Sequence, residues 1–127
     1  MANRVILVID DDKKICKLVK EGLEEMGGYS IITSYNGKDG FHMAKRTKPD
    51  LILLDIVMPA MDGFEVLRLL KQNDETYPIP VVMLSGDGDD TTRITASKLY
   101  CEDYLSKPIG VRALKGRIDT ILSRIGA

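Results

Sequence analysis

The sequence predicts an α/β fold, a doubly wound sandwich in which helices cover both faces of one five-stranded parallel sheet. Short apolar runs, typical of strands buried on both faces, alternate five times with stretches of helical periodicity. This alternation is typical of a parallel sheet, and right-handed crossovers between its strands place helices on both faces. No linker, internal repeat or low-complexity segment interrupts the pattern, so residues 1–127 are predicted to form a single domain.

The first half of the chain contains two strand–helix pairs. Residues 5–9 are a continuous apolar run, and the next apolar residues recur at helical spacing. Asp12 is the predicted N-cap of the first helix, and Gly27-Gly28 ends it. Gly40 weakens the second helix, because glycine is unfavourable inside a helix. The predicted elements are a strand at 5–9, a helix at about 14–26, a strand at 29–34 nearer an edge of the sheet, a turn at 36–37 and a helix at 38–48.

The second half begins with the run around which the chain is organised. Residues 51–54 are wholly apolar, follow Pro49 and Asp50, and lead into the carboxylate of Asp55. This run is too short for an independent helix and predicts a central strand, at about 50–55, buried on both faces. The alternative role for Asp55 is that it only caps the turn that follows. The remaining predicted elements are a helix from 64 to about 73, a strand at 81–84, a helix at about 90–99, a strand at 101–106 and a helix over 109–125.

The charge balance and the cysteine spacing exclude several classes of function. Lys and Arg total 18 and Asp and Glu total 19, so the net charge of −1 offers no general attraction to nucleic acid or to an anionic membrane. No apolar stretch is long enough to span a bilayer, and the N-terminus lacks a signal-peptide pattern, which predicts a cytoplasmic protein. Cys16 and Cys101 lack the spacing of a metal or redox site and are expected to be small apolar fillers of the core.

Polar side chains stand at the carboxyl ends of four predicted strands. Asp10 and Asp11 follow the first strand, Asp55 ends the third, Ser85 follows the fourth and Lys107 follows the fifth. If these strands are neighbours, the five side chains converge at the edge of the sheet where open α/β sheets bind ligands. The carboxylates suit Mg²⁺ with retained waters, and the ammonium and hydroxyl groups suit phosphoryl oxygens. Asp55, on the central strand, is placed to attack phosphorus and form an acyl phosphate.

Four motifs together resemble the receiver domain of two-component response regulators. They are Val-Ile-Asp-Asp-Asp at 8–12, Leu-Leu-Asp-Ile-Val-Met-Pro-Ala-Met-Asp-Gly at 53–63, Leu-Ser-Gly at 84–86 and Asp-Tyr-Leu-Ser-Lys-Pro at 103–108. They occur in the order that the family has, and the resemblance covers nearly the whole chain. It implies a flavodoxin-like sheet with the strand order 2-1-3-4-5, which the periodicity of the residues does not reveal by itself.

The resemblance implies roles for the carboxylates at the end of the sheet. Asp55 would accept a phosphoryl group from a phosphohistidine of a sensor kinase or a phosphotransfer protein. Asp11, Asp55 and the backbone carbonyl of Val57 would bind Mg²⁺ directly, and Asp10 would act mainly through water. On this interpretation the protein catalyses only its own phosphorylation and dephosphorylation and turns over no metabolite.

The resemblance also implies a switch. Ser85 would hydrogen-bond the phosphoryl oxygens and move toward them, and Tyr104 would swing inward. Lys107 would contact a phosphoryl oxygen, and its peptide bond to Pro108 is expected to be cis. The surface formed by the fourth helix, the fifth strand and the fifth helix would then change shape for a downstream protein partner, which the sequence does not name.

Two positions depart from the family pattern. Tyr100 stands where members often carry glycine before the fifth strand, which leaves the end of the fourth helix open. Val57, two residues after Asp55, is apolar where many relatives are polar. Because an apolar side chain cannot orient a hydrolytic water, we expect slow spontaneous loss of the phosphoryl group.

Two alternative functions are compatible with parts of the pattern. A pseudo-receiver would bind partners without being phosphorylated, but the complete set of acids, serine and lysine argues against it. The carboxylates of Asp10 and Asp12 also satisfy the DxD pattern of haloacid-dehalogenase-type phosphatases, in which the first Asp is the nucleophile. Lys14 stands where that family needs Thr or Val, and the chain has no room for a cap domain.

Overall fold

The computed structural model describes residues 3–86, 91–98 and 100–125. Five strands and five helices alternate along these residues. The strands are β1 (Arg4–Ile9), β2 (Tyr29–Ser34), β3 (Leu51–Asp55), β4 (Val81–Ser85) and β5 (Asp103–Ser106). The helices are α1 (Lys13–Met26), α2 (Gly37–Thr47), α3 (Gly63–Gln72), α4 (Thr91–Ser97) and α5 (Val111–Ile125). In this part of the chain no helix combines the length and the apolar content that crossing a membrane requires.

The strands form one parallel sheet with the order β2-β1-β3-β4-β5. This order confirms the predicted doubly wound architecture, with β2 at an edge and β3 in the centre. The register pairs Ile9 with Leu54, Asp55 with Leu84, and Ser85 with Ser106. The carboxyl ends of β1, β3, β4 and β5 therefore lie side by side along one edge of the sheet.

Each face of the sheet carries its own apolar layer. Because successive side chains of a strand point to opposite faces, the residues of β1 divide between the two layers. Ile6 and Val8 pack in a cluster with residues of α1 and α5, whereas Leu7 and Ile9 pack in a cluster with residues of α2 and α3. All five residues of β3 are buried, as predicted for a central strand covered on both faces.

Element boundaries differ from the predicted ones by one or two residues. β5 begins at Asp103 rather than at residue 101, because residues 101 and 102 form a bend and the first ladder pair joins Asp103 to Val82. Asn36 caps α2 instead of only turning the chain, since its Oδ1 accepts the Asp39 N–H at 2.8 Å, so the helix begins at Gly37. The predicted loop at 86–90 and the ends of the predicted helix at 90–99 fall partly outside the described residues.

The predicted N-cap and the predicted end of α1 are confirmed, and the helix begins one residue earlier than predicted, at Lys13. The Asp12 carboxylate accepts hydrogen bonds from the Lys14 N–H at 2.9 Å and the Ile15 N–H at 3.3 Å, as an N-cap does. Gly27 follows the last helical turn with a φ of 85°, a conformation that glycine adopts without a steric penalty. The Asp12 cap fixes the start of α1 immediately after Asp10 and Asp11 in the chain.

The two cysteines lie in or against the core, as predicted. Cys16 is buried, and its thiol donates to the Asp10 carbonyl oxygen at 3.4 Å, whereas Cys101 is half-buried against the second apolar layer. Burial raises the pKa of each thiol to about 11. Both are therefore protonated near neutral pH, and a protonated thiol is a poor nucleophile and metal ligand.

Ala60 holds a strained backbone conformation in the turn after β3. It is exposed and has a φ of 68°, which costs a residue with a Cβ about 1–2 kcal/mol. We expect Ala60→Gly to raise the free energy of unfolding by about 0.5–1 kcal/mol, measured by urea denaturation. The matched control is Ala113→Gly on the exposed side of α5, which should lower it by about 1 kcal/mol. Equal losses in both variants would contradict the strain at Ala60.

Candidate functional site

Three carboxylates meet at the carboxyl edge of the sheet. Asp10 and Asp55 follow the paired residues Ile9 and Leu54 of adjacent strands, and both are buried, with exposed fractions of 0% and 6%. Asp11 lies next to them and is exposed. One oxygen from each of the three carboxylates lies within 4.8 Å of the other two. The cluster joins residues 45 positions apart because neighbouring parallel strands end at the same edge.

Lys107 brings a positive charge into this cluster from the end of β5. Its Nζ lies 2.9 Å from Oδ2 of Asp10 and 2.7 Å from Oδ1 of Asp55. The Lys107 backbone N–H donates to the Ser85 carbonyl at 2.7 Å, which ties the chain after β5 to the end of β4. The peptide bond to Pro108 is cis, as the resemblance implied.

Burial and charge set the protonation states of the two central groups. Burial raises the pKa of Asp55 to about 6; the hydrogen bond from Lys107 opposes this rise, and the negative charges of Asp10 and Asp11 add to it. Burial lowers the pKa of Lys107, but its hydrogen bonds to Asp55 and Asp10 outweigh that effect and raise the pKa above its usual value. At pH 7 the site therefore contains an ionised Asp55 carboxylate beside an ammonium group.

Ser85 and Val57 lie near Asp55 in the strand register and in the sequence, respectively. Ser85 follows Leu84, the register partner of Asp55, so it lies one position beyond Asp55 on the neighbouring strand and is half-buried. Val57 follows β3 by two residues, and 64% of its surface is exposed. A serine therefore lies one position beyond Asp55 on the adjacent strand, and an exposed apolar residue follows Asp55 by two positions.

Tyr104 connects β5 to α4 through a contact that the sequence did not predict. The Tyr104 side chain is half-buried and packs against the second apolar layer. Its hydroxyl group makes a short contact with the hydroxyl group of Ser97, and the Ser97 Oγ–H donates to the Ile94 carbonyl at 2.9 Å. The two hydroxyl groups therefore link β5 to α4. No sequence signal pointed to Ser97, because a single serine near the end of a short helix has no distinctive pattern.

The donor set at the edge of the sheet fits Mg²⁺. Carboxylate oxygens are the hard ligands that Mg²⁺ prefers, and this ion commonly uses one or two carboxylates and retains several waters. Asp10 and Asp55 are buried and close together, and the negative charge of Asp10 disfavours ionisation of Asp55, an effect that a bound cation would offset. Lys107 already supplies one positive charge there.

Comparisons with known proteins identify the family. A sequence model described as the response regulator receiver domain matches residues 6–119. The chain belongs to this family. It is 36% identical over 122 residues to the alkaline phosphatase synthesis transcriptional regulatory protein PhoP of Bacillus subtilis, a match that covers 96% of the chain and 50% of that protein. Protein PilH of Pseudomonas aeruginosa is 32% identical over 120 residues, with 94% of the chain and 98% of PilH covered.

Solved receiver structures support the same conclusion. The receiver chain superposes on a response regulator receiver domain from Clostridium thermocellum with a TM-score of 0.85 and 30% identity, and the match covers 95% of each chain. The receiver chain spans about half the length of PhoP and of several other curated relatives, which are named as transcriptional regulators. Receiver domains bind Mg²⁺ at an acidic pocket and interact with sensor kinases or phosphotransfer proteins. Family membership does not favour the phosphatase or the pseudo-receiver alternative.

Proposed function

We propose that residues 1–127 form one receiver domain that is phosphorylated on Asp55. The phosphoryl donor is a phosphohistidine of a sensor kinase or of a phosphotransfer protein, and the reaction depends on Mg²⁺. The observation that carries the proposal is the position of the Asp55 carboxylate, which lies within 4.8 Å of the other two acids and 2.7 Å from the Lys107 ammonium. This arrangement supplies a nucleophile, a cation site and a positive charge in one place.

The proposed reaction transfers one phosphoryl group between two side chains. An Asp55 carboxylate oxygen attacks phosphorus, the P–N bond breaks, and its electron pair stays on the departing imidazole. Asp11, Asp55 and the Val57 carbonyl would hold Mg²⁺, with Asp10 acting mainly through water. When bound, the ion neutralises charge on the phosphoryl oxygens. Lys107 releases its ion pair with the Asp55 oxygen and contacts a phosphoryl oxygen instead.

The proposed switch follows from the charge that phosphorylation adds. A phosphoryl group brings about 1.5–2 negative charges. Its oxygens are present only in the phosphorylated state, so Ser85 and Lys107 can bind them only in that state. Movement of Ser85 toward these oxygens and inward movement of Tyr104 would change the surface of α4, β5 and α5. The hydrogen bond between Tyr104 and Ser97 supports this coupling, because it links β5 to α4 directly. A downstream protein partner would recognise the changed surface, and the chain would turn over no metabolite.

Phosphorylation with a small-molecule donor tests the proposed function. Incubation with acetyl phosphate and Mg²⁺ should add one phosphoryl group, detected by intact mass, and chelation of the metal should prevent this. Absence of an acyl phosphate under these conditions would instead favour the pseudo-receiver. Hydrolysis of a phosphate ester that is lost in Asp10→Asn but kept in Asp55→Asn would favour the phosphatase.

Mg²⁺ is expected to raise the melting temperature, and the effect should depend on pH. The pKa of Asp55 is raised from 3.8 to about 6, so the folded state binds this proton more tightly than the unfolded state. The stability of the metal-free protein should therefore fall as the pH rises from about 4 to 6, and Mg²⁺ should restore it most above pH 6. Thermal melts with and without Mg²⁺ across this range measure both effects. An unchanged melting temperature at millimolar Mg²⁺ would contradict the metal assignment.

Val57→Asn is expected to shorten the lifetime of the acyl phosphate. The Val57 side chain is exposed and apolar, whereas an amide in its place can hydrogen-bond and orient an attacking water. We expect the half-life to fall by about tenfold, less than the roughly 10²–10⁴-fold effect of a general base, because an amide orients water without removing its proton. The half-life is measured after removal of the phosphodonor, with Val57→Leu as the control. A longer half-life in Val57→Asn than in the wild type would refute the hypothesis that Val57 slows hydrolysis of the acyl phosphate on Asp55.

A further inference from the structure

A second concave site lies between α3 and α4, away from the acidic cluster. The groove has a volume of about 480 Å³, within the range of about 300–1,000 Å³ that is common for ligand clefts. Its apolar lining includes Phe64 and Leu67 of α3, and Tyr77 and Tyr100 beyond the ends of α3 and α4. The two tyrosines are 63% and 60% exposed. Exposed tyrosines around an apolar floor are typical of protein-binding surfaces.

The charged residues of this groove, which we call the α3–α4 groove, are basic. Arg68 and Lys71 of α3 both line it. The Lys71 ammonium donates to the carbonyl oxygens of Tyr77 at 3.1 Å and Ile79 at 2.7 Å. Among the described residues, no carboxylate lies within ion-pair distance of Arg68 or Lys71. Within the part of the chain that the structure describes, the groove therefore carries two positive charges that form no ion pair, on a chain whose net charge is −1.

A nearby anion would stabilise the charged form of Lys71, which burial disfavours. Burial lowers the pKa of its ammonium group, and Glu102 opposes this only through space, without forming an ion pair. Arg93, on the opposite wall, is already committed to the Asp62 carboxylate, at 2.8 Å and 3.2 Å, and lies over the Phe64 ring. The ion pair with Asp62 and the contact with the Phe64 ring hold Arg93 at one end of the groove. The end near Arg68 and Lys71 stays positive.

We propose that the α3–α4 groove docks a short acidic peptide segment of a partner protein, in which carboxylates flank an aromatic or aliphatic side chain. The apolar side chain would lie on Leu67 and between the two tyrosines, and the carboxylates would pair with Arg68 and Lys71. Such pairing across a partly apolar surface provides orientation and selectivity against basic segments. The groove shares Arg93 and Ser97 of α4 with the face that phosphorylation is proposed to change. The groove is already open in the unphosphorylated chain, so docking here does not require the proposed phosphorylation of Asp55.

A titration of the full chain with a defined peptide tests this proposal. The probe is an acetylated and amidated heptapeptide in which one Phe and one Leu are separated and flanked by Glu, and the control peptide carries Lys at each Glu position. The unphosphorylated protein is followed by amide NMR. We expect the acidic peptide to shift amides around the groove and the lysine peptide to leave them unchanged.

Charge reversal at two matched positions completes the test. Arg68→Glu should weaken binding of the acidic peptide by at least about tenfold, because a rim attraction becomes a repulsion. Arg124→Glu makes the same charge change at the exposed end of α5 and should leave the affinity within about twofold. Equal losses in both variants, equal binding of the two peptides, or shifts confined to residues outside the groove would overturn the proposal. Concentration-dependent shifts of the groove amides without peptide would overturn the proposal and identify a second copy of the chain as the occupant of the groove. Binding of phenylacetate as tight as that of the acidic peptide would overturn it and identify a small aromatic anion as the occupant.

Discussion

Replacement of Asp55 by asparagine is expected to abolish acyl phosphate formation without loss of the fold. The amide has nearly the same shape as the carboxyl group but cannot attack phosphorus. It also removes one of three neighbouring negative charges, at a position where burial already raises the pKa of the carboxyl group to about 6. The metal-free variant should therefore be at least as stable as the wild type near neutral pH, and its melting temperature should respond less to Mg²⁺.

Asp74→Asn is the matched control for this prediction. Asp74 is exposed in the segment between α3 and β4, and its replacement makes the same change in net charge. Intact mass after incubation with acetyl phosphate and Mg²⁺ should show one phosphoryl group on the wild type and on Asp74→Asn, and none on Asp55→Asn. A stable phosphoryl group on Asp55→Asn would mean that another residue is the acceptor, and the proposed mechanism would then be wrong.

Of the substitutions proposed for this protein, replacement of Gly63 by alanine is expected to cause the largest decrease in the free energy of unfolding. A Cβ at this position would lie 2.3 Å from the Asp55 carbonyl oxygen and 2.8 Å from the Ile56 Cα. Both are backbone atoms, so the clash cannot be relieved by a side-chain rotation. The Gly63 N–H also donates to the Ile56 carbonyl at 2.7 Å, which closes the turn between β3 and α3. We expect a loss of about 3 kcal/mol in the free energy of unfolding, at the upper end of what overpacking commonly costs.

Gly116→Ala supplies the control for the glycine substitution. Gly116 lies in α5, and an added Cβ there would meet no atom within 4 Å, so alanine should raise the free energy of unfolding by up to about 1 kcal/mol. Urea denaturation of both variants measures the difference. Because the same clash would displace the end of β3, Gly63→Ala should also slow phosphorylation of Asp55. A loss smaller than about 1 kcal/mol in Gly63→Ala would show that the turn adjusts easily.

Much of the candidate site could be predicted because its residues occupy strand ends. Short apolar runs identify β1, β3 and β4, and the polar residue after each run marks the carboxyl edge of the sheet. The positions of Asp10, Asp55 and Lys107 therefore followed from the sequence, together with a strand order that came from the family resemblance. Their proposed roles in phosphoryl transfer stay predictions until the variants are measured.

Other features of the molecule have no such local signal. The hydrogen bond between Tyr104 and Ser97, the ion pair of Arg93 with Asp62 and the α3–α4 groove all join side chains from different elements. Each depends on where one helix lies against its neighbours, which residue periodicity does not specify. Loop ends such as the start of β5 were also misplaced by one or two residues, because hydrogen bonding rather than apolar pattern decides them.

The sequence by itself determined the alternation of strands and helices, the central position of residues 51–55 and the residues at the strand ends, because apolar periodicity and turn residues act over a few neighbouring positions. Only the tertiary structure decided that the Lys107 ammonium lies 2.7 Å from Asp55, that burial raises the pKa of that acid, and that residue 63 has no space for a Cβ. These properties depend on the distance between segments far apart in the chain and on the exclusion of water from the space between them, and both arise only when the sheet assembles.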